Sequence, residues 1–268
     1  MHTIRPPAVA GAFYPAQKHL LASDLEAMLQ AVQPPVGAVC PKAIVVPHAG
    51  YRYSGPTAAA AYARLAAGRA QIRRVVLLGP VHRVPVRGLA LPGVDAFATP
   101  LGVIALDAAA VASIAGMRQV TVSPAAHALE HSLEVQLPFL QSVLEDFTLV
   151  PLAVGDATPA EVAQVLEALW GGPETAIVIS SDLSHFLPYR SAQAVDRATV
   201  RSILQLDSTL THEQACGGTP VNGLLLAAQR HRLQPELLEL CNSGDTAGDK
   251  DRVVGYASLA FLEEMDDA

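Results

Sequence analysis

Three short apolar runs, Ala43–Val46, residues 75–78 and residues 176–179, are rich in β-branched side chains and show no polar alternation. Such runs mark strands buried on both faces, as in a parallel sheet covered by helices. Elsewhere the apolar positions recur at helical spacing, over residues 20–32, Ala108–Ile114, 133–144, 160–170, 191–206 and 221–231. Pro138 lies inside the third stretch, and Pro220 opens the last. Pro56 is expected to be the first residue of a helix reaching Ala67, after a loop over residues 50–55. Thr148–Val154 reads as a strand, residues 86–91 and 102–106 as shorter ones, and residues 236–241 and 252–261 as a C-terminal pair. Strands alternating with helices predict an α/β sandwich with a mostly parallel central sheet.

The chain has 268 residues, 51% hydrophobic and 16% charged, with no polar or charged linker, so a single domain over residues 1–268 is expected. No apolar stretch reaches the roughly 18–20 residues of a membrane span. The N-terminus lacks the basic-then-apolar layout of a signal peptide. Cys40, Cys216 and Cys241 form no CxxC pair, so neither a disulfide framework nor a cysteine zinc site is indicated, and a cytoplasmic location is expected. A net charge of −7 argues against a nucleic-acid surface. Arg69, Arg73, Arg74, Arg83 and Arg87 cluster around the second run and read mainly as a solvated helix end and loop. Neither GxGxxG nor GxxxxGK[ST] occurs, which removes dinucleotide and P-loop sites.

Each apolar run leads into a histidine: His48 after the first, His82 after the second, His185 after the third. Ligands of α/β sheets collect at the carboxyl ends of the strands, and imidazole is both a common metal ligand and a common general base. Two imidazoles with one carboxylate form the facial triad of non-haem Fe(II) oxygenases. His48 and His82 supply the imidazoles; Asp182, Glu130, Glu134 and Asp245 are all candidates for the carboxylate. His185, with Asp182 to fix its tautomer, is placed to take a proton from a substrate hydroxyl. Ser181 and Ser184 lack the glycines of a GxSxG elbow, which disfavours either as a nucleophile. His127-Ala128-Leu129-Glu130-His131 matches HxxEH, a zinc-hydrolase pattern that requires both histidines on one helix face.

Longer motifs extend from end to end. They include Pro7-Ala8-Val9-Ala10-Gly11-Ala12-Phe13-Tyr14-Pro15, Pro47-His48-Ala49-Gly50-Tyr51-Arg52-Tyr53-Ser54-Gly55, Glu130-His131-Ser132-Leu133-Glu134-Val135-Gln136-Leu137-Pro138-Phe139, Ser180-Ser181-Asp182-Leu183-Ser184-His185 and Asn242-Ser243-Gly244-Asp245. With these the chain resembles the Memo-like proteins, whose fold is similar to that of the class III extradiol dioxygenases. The resemblance implies a metal site at one sheet edge, with His48 and His82 as ligands and His185 as the acid/base group. Asp245-Thr246 stands where eukaryotic members carry a ligating cysteine, so Asp245 is expected to complete the first shell. Glu130, His131, Glu134, Tyr51 and Ser181 are expected to line the same cleft. The expected function is an oxidoreductase binding Fe(II), with zinc or another divalent metal as the rival ion. Its substrate is an unassigned small molecule or peptide, and the family further implies a radical-SAM protein and an Ammecr-like protein as partners. The competing readings are a non-catalytic peptide-binding module using the same cleft and a zinc hydrolase built on residues 127–131.

Overall fold

In the computed structural model, which describes residues 3–33 and 37–264, the apolar runs become the middle of a nine-stranded sheet. The chain opens with β1 (Ile4–Arg5), α1 (Lys18–Gln30), β2 (Ala43–Val46), α2 (Tyr51–Leu65) and β3 (Arg74–Pro80). There follow β4 (Leu89–Leu91), β5 (Ala96–Thr99), β6 (Gly102–Ala105), α3 (Ala108–Ile114), β7 (Val120–Val122), α4 (Pro124–Ala128) and α5 (Leu137–Val143). The second half comprises β8 (Thr148–Val154), α6 (Pro159–Leu169), β9 (Thr175–Ser180), β10 (His185–Leu187) and α7 (Tyr189–Leu204). It closes with α8 (Gly218–Arg230), β11 (Gln234–Asn242) and β12 (Val253–Leu262).

The sheet order is β10-β12-β2-β9-β3-β8-β4-β7, with β11 on the outer side of β12. Its four central strands, β2, β9, β3 and β8, run parallel. β12 joins β2, and β4 joins β8, antiparallel at the two flanks. A separate three-stranded sheet, β1-β5-β6, packs beside it.

The lack of alternation in the central runs follows from helices on both sides. Val76 and Leu78 of β3 join one core cluster with Val162 and Leu166 of α6 and Leu224 and Leu225 of α8. Their neighbours Val75 and Leu77 point the other way, into a second cluster with Leu21 and Leu25 of α1, Tyr62 of α2 and Phe139 of α5. Each such side chain, fully removed from water, contributes about 1.5–3 kcal/mol. A polar residue at either alternate position would forfeit that, so the run stays apolar throughout.

Two expectations are corrected. The helix expected from Pro56 begins at Tyr51, and Pro56 lies inside it. Proline supplies no N–H there, but the first turn is anchored from outside: the Tyr51 amide donates to the Phe13 carbonyl at 2.8 Å and its hydroxyl to the Val135 carbonyl at 2.7 Å. The continuous helix expected over 133–144 divides into a 3-10 turn, Glu134–Gln136, and α5, so that Pro138 falls in the first turn of α5, where its missing N–H is tolerated. Among the described residues, no helix is long and apolar enough to cross a membrane. Of the clustered arginines, Arg69 pairs with Glu145, Arg74 with Asp107, and Arg87 with Asp156 and Glu161.

Candidate metal centre

Strand register brings the histidine-bearing loops together. Val46 lies opposite Ser180, and Leu78 opposite Ile179, so β2, β9 and β3 end at one level. His48 follows β2 by two residues and His82 follows β3 by two. A third imidazole, His131, enters from the loop beyond α4. The ring centroids are 5.2 Å apart for His48–His82, 5.4 Å for His48–His131 and 4.6 Å for His82–His131. One nitrogen from each ring lies within 4.8 Å of the other two.

Glu130 organises this group from below. One carboxylate oxygen accepts from His82 Nδ1 at 2.9 Å and from the amides of His131 and Ser132 at 3.0 Å each. The other accepts from the His82 amide at 2.6 Å. Burial alone would raise the Glu130 pKa, but these hydrogen bonds outweigh it and bring it down to about 2. An ionised carboxylate only accepts, so the His82 proton sits on Nδ1 and Nε2 is the nitrogen left for a ligand. Burial also lowers the other two rings, His48 well below its ordinary value and His131 to about 4. Both are neutral at pH 7, the state a metal ion requires.

The donor set fits a metal. Neutral imidazoles suit iron, copper, zinc and nickel. Ligands on one ion sit about 3.0–3.4 Å apart for bonds of about 2.0–2.1 Å, closer than the present spacing. His82 and His131 are 30% and 17% exposed, whereas His48 is held in the core.

Two further groups stand next to His48. Asp182 is buried, accepts from the His48 amide at 2.7 Å, and has a carboxylate oxygen 4.0 Å from His48 Nε2. Burial pushes its pKa up to about 7, against the opposing pull of the His48 and Ala49 amides. Cys216 Sγ, from the loop before α8, is 3.3 Å from His48 Nε2. Burial pushes this thiol up to about 12, so it stays protonated. Nothing in the sequence pattern marked Cys216; the only hint is the Gly217-Gly218 pair after it. A Cβ at Gly217 would stand 2.8 Å from the Ser180 carbonyl, so glycine is what allows that loop to approach. His185 opens β10, paired with Val254. It is close enough to His48 and His82 for their charges to disfavour one another, and burial lowers its pKa first.

The remaining expected residues have other partners. Asp245 closes a 3-10 turn, Ser243–Asp245, where its carboxylate accepts from the Asn242 amide at 3.0 Å and from the Tyr189 hydroxyl. It lines a small cavity with Gln193, Asp196, Arg197 and Cys241, outside the imidazole group. Glu134 is fully buried against Arg5 at 2.7 Å and accepts from Tyr14 and from the Ala8 and Val9 amides, so it anchors the N-terminal segment. Tyr51 packs between Tyr14 and Phe139. Ser181 ties the loop together, donating to the Asp182 carbonyl and accepting from the Gly217 amide. The single helix face that HxxEH needs does not form: α4 stops at Ala128, and His127 Nε2 turns away to the Ala90 carbonyl at 2.7 Å. Only His131 of that pair reaches the cluster.

Comparison with known proteins identifies the relatives of the chain. The family model described as Memo-like protein matches residues 5–260. A protein of Aquifex aeolicus named MEMO1 family protein is 36% identical over 272 residues, covering 97% of this chain and 99% of the relative. A namesake in Metallosphaera sedula is 34% identical over 283 residues, with 97% and 99% covered. Another, in Methanosarcina barkeri, is 35% identical over 277 residues, with 96% and 99% covered.

Proposed function

The chain belongs to the Memo-like family, and from that premise we propose that it is an oxidoreductase working with one Fe(II) ion held by His48, His82 and His131. The observation that carries this reading is the group of three ring nitrogens within 4.8 Å of one another at the ends of buried parallel strands. Held by these three rings, such an ion would supply redox chemistry. The protein's own groups do the rest. Glu130 fixes the ring orientation of His82 and ties it to the loop that carries His131. Asp182 holds or releases a proton near neutral pH beside His48. His185 takes the proton of a substrate hydroxyl at the open side of the cleft. Three nitrogen donors suit zinc as well as iron; the preference for iron rests on likeness of fold to the class III extradiol dioxygenases, which is an argument by analogy.

Elemental analysis of protein purified anaerobically tests this. About one iron per chain is expected, lost in His48→Ala and in His131→Ala. Stoichiometric zinc from iron-replete cells would replace the redox reading with a Lewis-acid one. Metal retained by both variants would move the site elsewhere.

A further inference from the structure

Ser180 is the last residue of β9 and lies behind His48, fully buried. Its hydroxyl oxygen is 2.6 Å from the Ser132 carbonyl oxygen, 2.9 Å from Gln136 Nε2 and 2.9 Å from His48 Nδ1. A hydroxyl has one proton and two lone pairs, so these three contacts can be assigned by elimination. A carbonyl oxygen brings no hydrogen to a 2.6 Å contact; the Ser180 proton must therefore lie on the path to Ser132. Gln136 leaves no freedom either. Its Nε2 also reaches the Pro47 carbonyl at 2.9 Å, which needs a donor, while its Oε1 accepts from the Tyr62 hydroxyl at 2.9 Å. The amide is thus oriented, and it donates to Ser180. The one lone pair left on Ser180 faces His48 Nδ1, which must carry the proton.

We propose that Ser180, oriented by Gln136 and Tyr62, is a positioning residue that locks His48 in the Nδ1–H tautomer, so that the bare Nε2 is always the nitrogen offered to a ligand. Glu130 imposes the same tautomer on His82 with a charge; Ser180 does so on a completely buried ring with a neutral group. That difference suits the two locations. His82 is partly exposed and tolerates an ionised neighbour, whereas a carboxylate behind His48 would be a second buried charge close to Asp182. In the absence of metal the bare Nε2 faces the protonated thiol of Cys216 at 3.3 Å, a weak donor that an incoming cation can displace. The tautomer stands on hydrogen-bond geometry alone; its consequence for metal affinity rests on the function proposed above.

The test uses the full chain labelled with [15N]histidine and freed of metal, with tautomers read from long-range 1H–15N correlation at neutral pH. His48 should show a protonated Nδ1 and an unprotonated Nε2 in the wild type. Ser180→Ala should shift it wholly or partly to Nε2–H and weaken Zn(II) and Co(II) binding about 10- to 100-fold, and Ser180→Thr, which keeps the hydroxyl, should restore both. A wild-type His48 protonated at Nε2 overturns the proposal without any variant, so a failure of Ser180→Ala to fold does not protect it. An unchanged Nδ1–H tautomer in folded Ser180→Ala overturns it equally. If the tautomer shifts as expected but none of the proteins binds metal, the positioning stands and the metal reading falls.

Discussion

Replacing Glu130 by glutamine keeps the side-chain shape and removes its charge from beneath two of the three imidazoles. In the wild type, one oxygen serves three donors and the other serves the His82 amide at 2.6 Å. In Glu130→Gln the best orientation keeps the carbonyl oxygen on the three donors. The NH2 then meets the His82 N–H head on, leaving a buried donor unpaired at a cost of about 1–3 kcal/mol. His82 also loses the charge that holds its tautomer, and partners of this kind are worth about 10- to 100-fold in metal affinity. The second quantity is read by competition with a chromophoric chelator, the first by urea unfolding of the metal-free protein.

The pH dependence makes the test sharper. The Glu130 pKa is depressed from 4.5 to about 2 in the folded protein, and at 1.36 kcal/mol per unit this corresponds to about 3 kcal/mol of stability. A depressed carboxylate stabilises above its unfolded value, so the contribution is complete above about pH 5 and is lost as pH falls from 4.5 toward 2. Wild type should therefore exceed Glu130→Gln by a constant margin near neutrality, with the margin closing in acid. A margin independent of pH, or a Glu130→Gln protein that binds metal within twofold of wild type, would refute the reasoning.

Other expectations follow from the same geometry. His131→Ala should abolish tight metal binding while Asp245→Ala leaves it within a few-fold, because the Asp245 carboxylate is engaged by Tyr189 and Asn242; the reverse ranking by chelator competition would return Asp245 to the first shell. Metal at 100 times Kd should stabilise by about 2.7 kcal/mol, a rise in Tm of roughly 5–10 °C for a chain of this size, absent in His48→Ala when followed by differential scanning fluorimetry. Arg5→Met leaves the buried Glu134 carboxylate unpaired and should cost about 3–5 kcal/mol with early proteolysis of the N-terminal segment; a urea-unfolding loss below about 1 kcal/mol would contradict that. Lys42 donates from beneath the end of α6 to the Trp170, Gly172 and Thr175 carbonyls at 2.7–2.9 Å. Lys42→Met should therefore lower stability by about 2–4 kcal/mol, measured the same way, and a change within 0.5 kcal/mol would count against the role.

The central strands could be read from the chain because burial on both faces constrains every position of a short run, and no local alternative satisfies the pattern Val75, Val76, Leu77, Leu78 as well. The start of α2 could not. Gly50, Gly55 and Pro56 all disfavour helix locally, and what overrides them lies far away in sequence: the Phe13 carbonyl, the Val135 carbonyl, and the Met28 side chain packed over Gly55. Of the β1-β5-β6 sheet only β6 is legible, as the strand expected over residues 102–106; β1 and β5, of two and four residues, carry too little pattern to outweigh their non-local partners.

The imidazoles divide along the same physical line. His48 and His82 stand two residues beyond strands whose register fixes where they end, so apolar run and strand end together locate the ring to within the reach of a side chain. His131 depends on α4 stopping at Ala128 and on the turn that Glu130 ties to the His82 amide. The resemblance to the Memo-like proteins brings His131 to this cleft, but the sequence pattern by itself offers it only as half of an HxxEH pair. Its place is decided by a hydrogen bond between segments 48 residues apart, not by periodicity. Ser180 shows how narrow the margin is. The apolar run ends at Ile179, and the strand continues one residue further, paired with Val46. That one residue, polar and therefore outside the hydrophobic pattern, is the group placed to choose which nitrogen of His48 faces a ligand.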